Sequence, residues 1–251
     1  MNALPLALVL LLPPGDGPAD SAAAEGTVAG GDVAAAKAAL APLNPLVGRW
    51  RGVGQVRRGS REGAWRETAE WVWDFSRPER PAVRFEVEEG KEVLRLLVRP
   101  APKGTGFVAT LTPPGGDAST LSAASLGDAV TFEPTGEGSD RLTFKRLNDK
   151  RFTLLIERRS SPTGRFRRVA EVGYTRAGER LAASSLGGPE CVVTGGLGTI
   201  EVRHAGKTYY VCCTGCVAAF EADPEGVLAE YRAKRAQSAQ SAGAAAGDQD
   251  E

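Results

Sequence analysis

The chain has one histidine, one methionine and no cysteine before position 191. A single imidazole, His204, is all that a Ser/His/Asp or Cys/His catalytic set has to draw on, which narrows hydrolytic and acyl-transfer chemistry to one place in 251 residues. The lone methionine is Met1, so no internal thioether is available to a haem iron. An excess of charge of one sign is also missing: 31 Lys and Arg face 31 Asp and Glu. No whole-protein field is therefore expected to draw nucleic acid or an acidic membrane surface. The apolar run from Met1 to Leu12 is too short for a comfortable membrane span, so no integral membrane segment is expected. What remains is a length sufficient for one sizeable core and a small second module.

The run Met1 to Leu12 is followed by small residues, Pro18-Ala-Asp-Ser-Ala-Ala-Ala-Glu25, and reads as the apolar region and cleavage zone of a secretory signal peptide over 1–25. It implies export, to a periplasm or outside the cell. Its leading residues carry no Lys or Arg, which leaves a disordered apolar tail or a mis-called start as the other reading, and no nearby cysteine is available to carry a lipid. Residues 26–44 are a linker or a short helix, the latter starting with Asp32 as its cap.

From Pro45 to Ala177 the pattern becomes short apolar-alternating runs broken by Gly, Pro, Asn and Asp. Examples are Glu67 to Phe75, Ala82 to Val87, Glu92 to Val98, Gly106 to Leu111, Ala129 to Phe132, Arg141 to Lys145, Arg151 to Glu157 and Phe166 to Tyr174. Period-two alternation with frequent turn signals predicts an antiparallel meander, with hairpin turns at Asn148-Asp149 and at Ser161-Pro-Thr-Gly164. With Arg49 to Val56 added there are about nine strands, and closure into an up-and-down barrel over 45–178 removes the exposed edges. The arginines at 158, 159, 165, 167 and 168 read as solvated outward positions, and Trp65, Trp71, Trp73 and Phe75 as barrel core or rim. Barrels of about this strand number can enclose one small apolar ligand, which makes a ligand carrier or barrel-centred enzyme the alternative to a metal-binding function.

After a Ser/Gly linker at 179–188 comes a cysteine-rich module at 189–235, and the Ala/Gln/Ser-rich stretch 236–251 reads as a disordered tail. Within the module Cys191 starts a knuckle, Thr199 to His204 and Lys207 to Cys212 form a hairpin about Ala205-Gly206, and Thr214 caps a helix carrying Cys216 and Phe220. A second helix opens at Asp223-Pro224-Glu225 and carries Val227, Leu228 and Tyr231. The spacing of Cys191, Cys212 and Cys216 suits a metal ion better than a catalytic mechanism, and thiolates favour Cu(I) or Zn(II) over Mg or Ca. Cys213 and His204 are two candidates for a fourth ligand. Alternation along the chain would turn Cys213 away from Cys212. In an oxidising compartment the four cysteines are instead two disulfides, with three pairings open. The pair Cys213 and Cys216 has Cys-x-x-Cys spacing but lacks the βαβ frame of a thiol oxidoreductase.

Two resemblances follow from these residues. Gly48-Arg-Trp50-Arg-Gly52-Val-Gly54 resembles the first strand of calycin-type barrels, in particular the nitrobindin and fatty-acid-binding-like group. Nitrobindins hold haem through a barrel histidine, and this chain has none between Pro45 and Ala177, so no haem is expected. The segment from Pro189 to Tyr231 resembles the TRASH and YHS family of small metal-binding domains. It carries Lys207, Tyr209, Tyr210, Cys212, Gly215, Cys216, Phe220, Asp223 and Pro224 in that family's frame. The resemblance implies a non-enzymatic protein that binds or senses copper or zinc through Cys191, Cys212 and Cys216. The fold expected is mainly β: an antiparallel up-and-down barrel followed by a small ββα(α) cysteine-rich module.

Overall fold

The computed structural model describes residues 30–102, 105–177 and 188–246. The expected signal peptide at 1–25 lies outside them, as does all of the 179–188 linker except Gly188. The protein is mainly β. Ten strands, β1 (Gly48–Gln55), β2 (Trp65–Asp74), β3 (Ala82–Glu88), β4 (Arg95–Pro100), β5 (Phe107–Thr112), β6 (Ser119–Ala123), β7 (Ala129–Pro134), β8 (Asp140–Asn148), β9 (Arg151–Arg158) and β10 (Arg167–Arg176), pair antiparallel in chain order. β1 then pairs with β10 to close the barrel. The sequence pattern predicts about nine of these strands and passes over β6. That strand, Ser-Thr-Leu-Ser-Ala, buries only Leu121 and the small Ala123, so its alternation is too faint to read. Both predicted turns form: the Lys150 amide donates to Asn148 Oδ1, and the Gly164 amide donates to the Ser161 carbonyl.

Aromatic side chains fill the middle of the barrel. Trp71, Phe85, Phe144, Phe152 and Tyr174 are all nearly or fully buried, with successive ring centroids 4.9, 5.4, 6.3 and 4.5 Å apart. Burying each ring contributes about 1.5–3 kcal/mol, which makes this cluster the main stabilising feature of the fold. Two glycines of β1 are required by it. A Cβ at Gly52 would lie 2.7 Å from the Tyr174 ring, and one at Gly54 only 2.2 Å from the Trp65 ring. The motif therefore works by making room on the inner face of β1 for rings from β10 and β2.

One end of the barrel is covered by helix α1 (Gly30–Leu40) and a 3-10 turn (Ala41–Leu46). The helix packs against β3 and β4, and Leu40 and Leu43 are fully buried. It already includes Gly30 and Gly31, so Asp32 lies within the helix and not at its cap. Trp50, fully buried beside Phe152, donates its indole N–H to the Leu46 carbonyl at 2.6 Å and ties this plug to β1.

Beyond the barrel, β11 (Ile200–His204) and β12 (Lys207–Val211) form a two-stranded hairpin, followed by α2 (Thr214–Ala222) and α3 (Pro224–Ala246). Asp223 caps α3, its Oδ1 accepting from the Gly226 amide at 2.9 Å, with Pro224 in the first position. The last helix continues to Ala246, into the stretch where composition predicts disorder. Alanine, glutamine and serine lack a core-facing stripe, yet alanine is the strongest helix former and extends a helix already nucleated at Pro224.

Candidate metal centre

Three local structures bring the cysteines together. Cys191 sits in a tight turn where its amide donates to the Gly196 carbonyl and its carbonyl accepts from the Gly195 amide. Gly195 supplies the positive φ of 75° that such a turn needs. The hairpin turn uses the same device at Ala205 and Gly206, with φ of 48° and 73°. The Val192 amide donates to the Tyr210 carbonyl, which ties the Cys191 turn to β12. Cys212 and Cys213 then form the bend between β12 and α2, and Cys216 lies in the first turn of that helix.

The ligand sulfurs of Cys191, Cys212 and Cys216 lie within 4.8 Å of one another, and all three residues are almost fully buried. Cys212 Sγ is 3.5 Å from Cys216 Sγ. Tetrahedral coordination with Zn–S bonds of about 2.3 Å places neighbouring sulfurs roughly 3.8 Å apart, so the donor set and its spacing fit a soft metal ion. The four cysteines are free thiols, and no disulfide joins them.

Cys213 behaves otherwise than alternation predicts. Its sulfur is 3.6 Å from Cys216 Sγ and 4.0 Å from Cys212 Sγ, so it turns toward the cluster. Period-two alternation holds only while the strand continues, and β12 ends at Val211. Cys213 occupies the position before the first residue of α2, with φ −158° and ψ 171°, where Thr214 was expected to stand. His204, at the end of β11, is half-buried with its ring edge toward Phe220, centroids 6.3 Å apart, and falls outside the sulfur group.

These closely packed thiols divide their protons unequally. Hydrogen bonds from Cys212 and then Cys216 hold the Cys191 and Cys213 thiols far below their ordinary value. Cys212 is pushed up by its hydrogen bond to Cys191, and Cys216 by burial. Negative charges this close repel strongly in a buried site, so full ionisation of the cluster calls for a cation among the sulfurs. Thr194, itself buried, adds a hydroxyl 3.4 Å from Cys212 Sγ.

The cluster rests on the outer wall of the barrel. The β1/β2 ladder ends at the pair Gly48 and Trp71, which leaves the Trp73 amide without a β1 partner, and that amide donates to Cys213 Sγ at 3.3 Å. Val72, on the outer face of β2, is buried beneath α2, and a Cβ on Gly215 would lie only 1.7 Å from the Trp73 carbonyl oxygen. Asn44 completes the junction: its Nδ2 donates to the Thr194 carbonyl at 3.1 Å, and its Oδ1 accepts from the Trp73 indole at 3.0 Å. Glu70, also outward on β2, is raised by burial, opposed by Arg49 and reinforced by the charge on Cys213. Sequence reasoning finds the cysteines but not this junction, because Asn44, Trp73 and Gly215 are far apart in the chain and each has an ordinary local explanation.

No family model and no curated protein matches the chain. Among solved structures it is similar to the crystal structure of Rv2717c from M. tuberculosis, with 17% identity and a TM-score of 0.34. That match covers 57% of this chain and 98% of the other. Among the described residues no helix is long and apolar enough to cross a membrane.

Proposed function

We propose that this is a non-enzymatic heavy-metal protein of the TRASH/YHS type, binding or sensing zinc or copper through Cys191, Cys212 and Cys216, and that it is exported. The observation that carries the metal reading is the buried group of three free sulfurs within 4.8 Å of one another. A buried free cysteine packs as a small hydrophobe and needs no sulfur neighbour, whereas thiolates around a d10 ion must converge. When bound, the ion would be held as a buried thiolate complex, which suits retention or sensing of a soft metal. The filled aromatic centre of the barrel supports the metal reading over the ligand-carrier alternative. Tyr174, the one tyrosine of the ten barrel strands, has its ring stacked on Phe152 and its hydroxyl donated to Glu67.

The test is elemental analysis of the full chain purified under reducing conditions, beside a Cys212→Ser/Cys216→Ser variant. About one equivalent of zinc or copper is expected in the parent and none in the variant. Equal metal content in the two would refute the reading.

A further inference from the structure

We infer that Cys213 is the fourth sulfur ligand of the metal centre, and that the barrel holds it in place by donating the Trp73 amide to its sulfur. The inference rests on the metal-binding reading above and adds to it a ligand, a coordination class and a partner element. Three separations carry it: Cys212 to Cys216 at 3.5 Å, Cys213 to Cys216 at 3.6 Å and Cys212 to Cys213 at 4.0 Å. All three lie near the edge of roughly 3.8 Å expected for sulfurs sharing a tetrahedral zinc-class ion. Cys191 supplies the remaining sulfur, within 4.8 Å of both Cys212 and Cys216, and Cys213 joins the group through those two sulfurs and not through Cys191. His204, the competing candidate, has its ring packed against Phe220, centroids 6.3 Å apart, whereas the Cys213 sulfur lies beside two of the cluster sulfurs.

Four thiolates in a tetrahedral, solvent-closed arrangement are the donor set of a structural zinc-type ion; three leave an open position suited to exchange or to low-coordinate Cu(I). Cys213 therefore decides the class of the site. Its orientation is set from outside the cysteine module. A backbone N–H directed at a ligand sulfur fixes that sulfur's position and stabilises its negative charge, as outer partners do in metal sites generally. Here the N–H belongs to the unpaired end of β2, and α2 is held against that edge because residue 215 has no side chain. Metal occupancy and the order of the β2 edge are thereby linked.

The experiment uses the full chain, reduced, titrated with Co(II) and separately with Zn(II), comparing the parent with Cys213→Ala. The parent should take up cobalt with a tetrahedral four-thiolate spectrum. The variant should still bind, with thiolate charge-transfer intensity lower by about one quarter, one bond of four. Zinc should slow exchange of the Trp73 amide in the parent and not in the variant, a readout that loss of a merely structural thiol would not move. Identical cobalt spectra in the two proteins would overturn the inference and leave the three-cysteine function standing. Failure of the parent to bind either ion would remove the function itself. If the alanine variant does not fold, cadmium NMR of the parent decides the matter: a four-sulfur chemical shift supports the assignment and a three-sulfur shift refutes it.

Discussion

Gly215→Ala separates tertiary contact from local propensity, because the two predict opposite signs. Gly215 lies in the first turn of α2, and by helix propensity alone alanine there gains about 1 kcal/mol. The added Cβ, however, would lie 1.7 Å from the Trp73 carbonyl oxygen and 2.9 Å from its carbonyl carbon. Neither is the far end of a flexible side chain, so α2 must lift from β2. Overpacking of this kind costs about 1–3 kcal/mol. Lifting also parts the Trp73 amide from Cys213 Sγ, and a buried donor left without its acceptor costs a further 1–3 kcal/mol or so. The net expectation is a loss of about 1–5 kcal/mol after the propensity gain is subtracted.

Urea unfolding of the reduced, metal-free chain, followed by tryptophan fluorescence, measures this directly. The variant should also bind zinc more weakly, since Cys213 and Cys216 move with the helix. A variant as stable as the parent would show that α2 does not bear on the barrel edge, and the coupling of site to barrel would fall with it.

Asn44→Ala should lose about 2 kcal/mol, because it leaves both the Trp73 indole N–H and the Thr194 carbonyl without partners, and a thermal melt of the full chain checks it. Asp74 is held below the usual carboxylate value: burial pushes it up, but bonds from Ser76 and the nearby Arg84 guanidinium outweigh that. Its contribution is therefore present above the unfolded value and lost as pH falls through the folded one. Asp74→Asn should lower stability at neutral pH by about 1 kcal/mol, allowing for solvent screening, and flatten the decline below about pH 4 in urea midpoints measured against pH. Tyr174 is raised well above its ordinary value by burial and then by Glu67, so the unfolded chain releases that proton first and rising pH favours unfolding. Tyr174→Phe should lose about 1–2 kcal/mol at neutral pH and remove a share of the fall in stability above about pH 10, read from the same unfolding curves at alkaline pH.

The barrel was legible wherever a strand alternates large apolar side chains with polar ones. β3, β8 and β9 bury residues such as Phe85, Phe144 and Phe152 at alternate positions and announce themselves, and β2 alternates through Ala69, Trp71 and Trp73 with Val72 buried beneath α2 as well. β6 does not, because Leu121 is its one large buried residue and its other inward position needs only an alanine. Cys191, Cys212 and Cys216 were legible through their spacing and the frame around them. The direction of Cys213 was not, since alternation applies to a continuing strand and the chain bends after Val211. Nor was the helix beyond Arg235, where composition carries no core-facing signal although alanine favours helix.

A cysteine module of roughly fifty residues has too thin a core to stand alone, which by itself suggests that the metal supplies its stability. The contacts around the sulfurs redistribute that burden. Val72 is a barrel residue buried beneath α2, Asn44 bonds both to the Trp73 indole and to the Cys191 turn, and Trp73 gives its amide to Cys213. Barrel and module share one continuous buried cluster, from Leu40 through the aromatic centre to Leu228. The barrel thus provides a surface on which the knuckle, the bend and α2 can pack before any ion arrives. Preorganising ligands in this way shifts part of the binding free energy from folding the module to holding the metal. It also gives the barrel a part in the candidate metal site that needs no ligand inside the barrel: its β2 edge, beyond the end of the β1 ladder, is where the sulfur cluster is built.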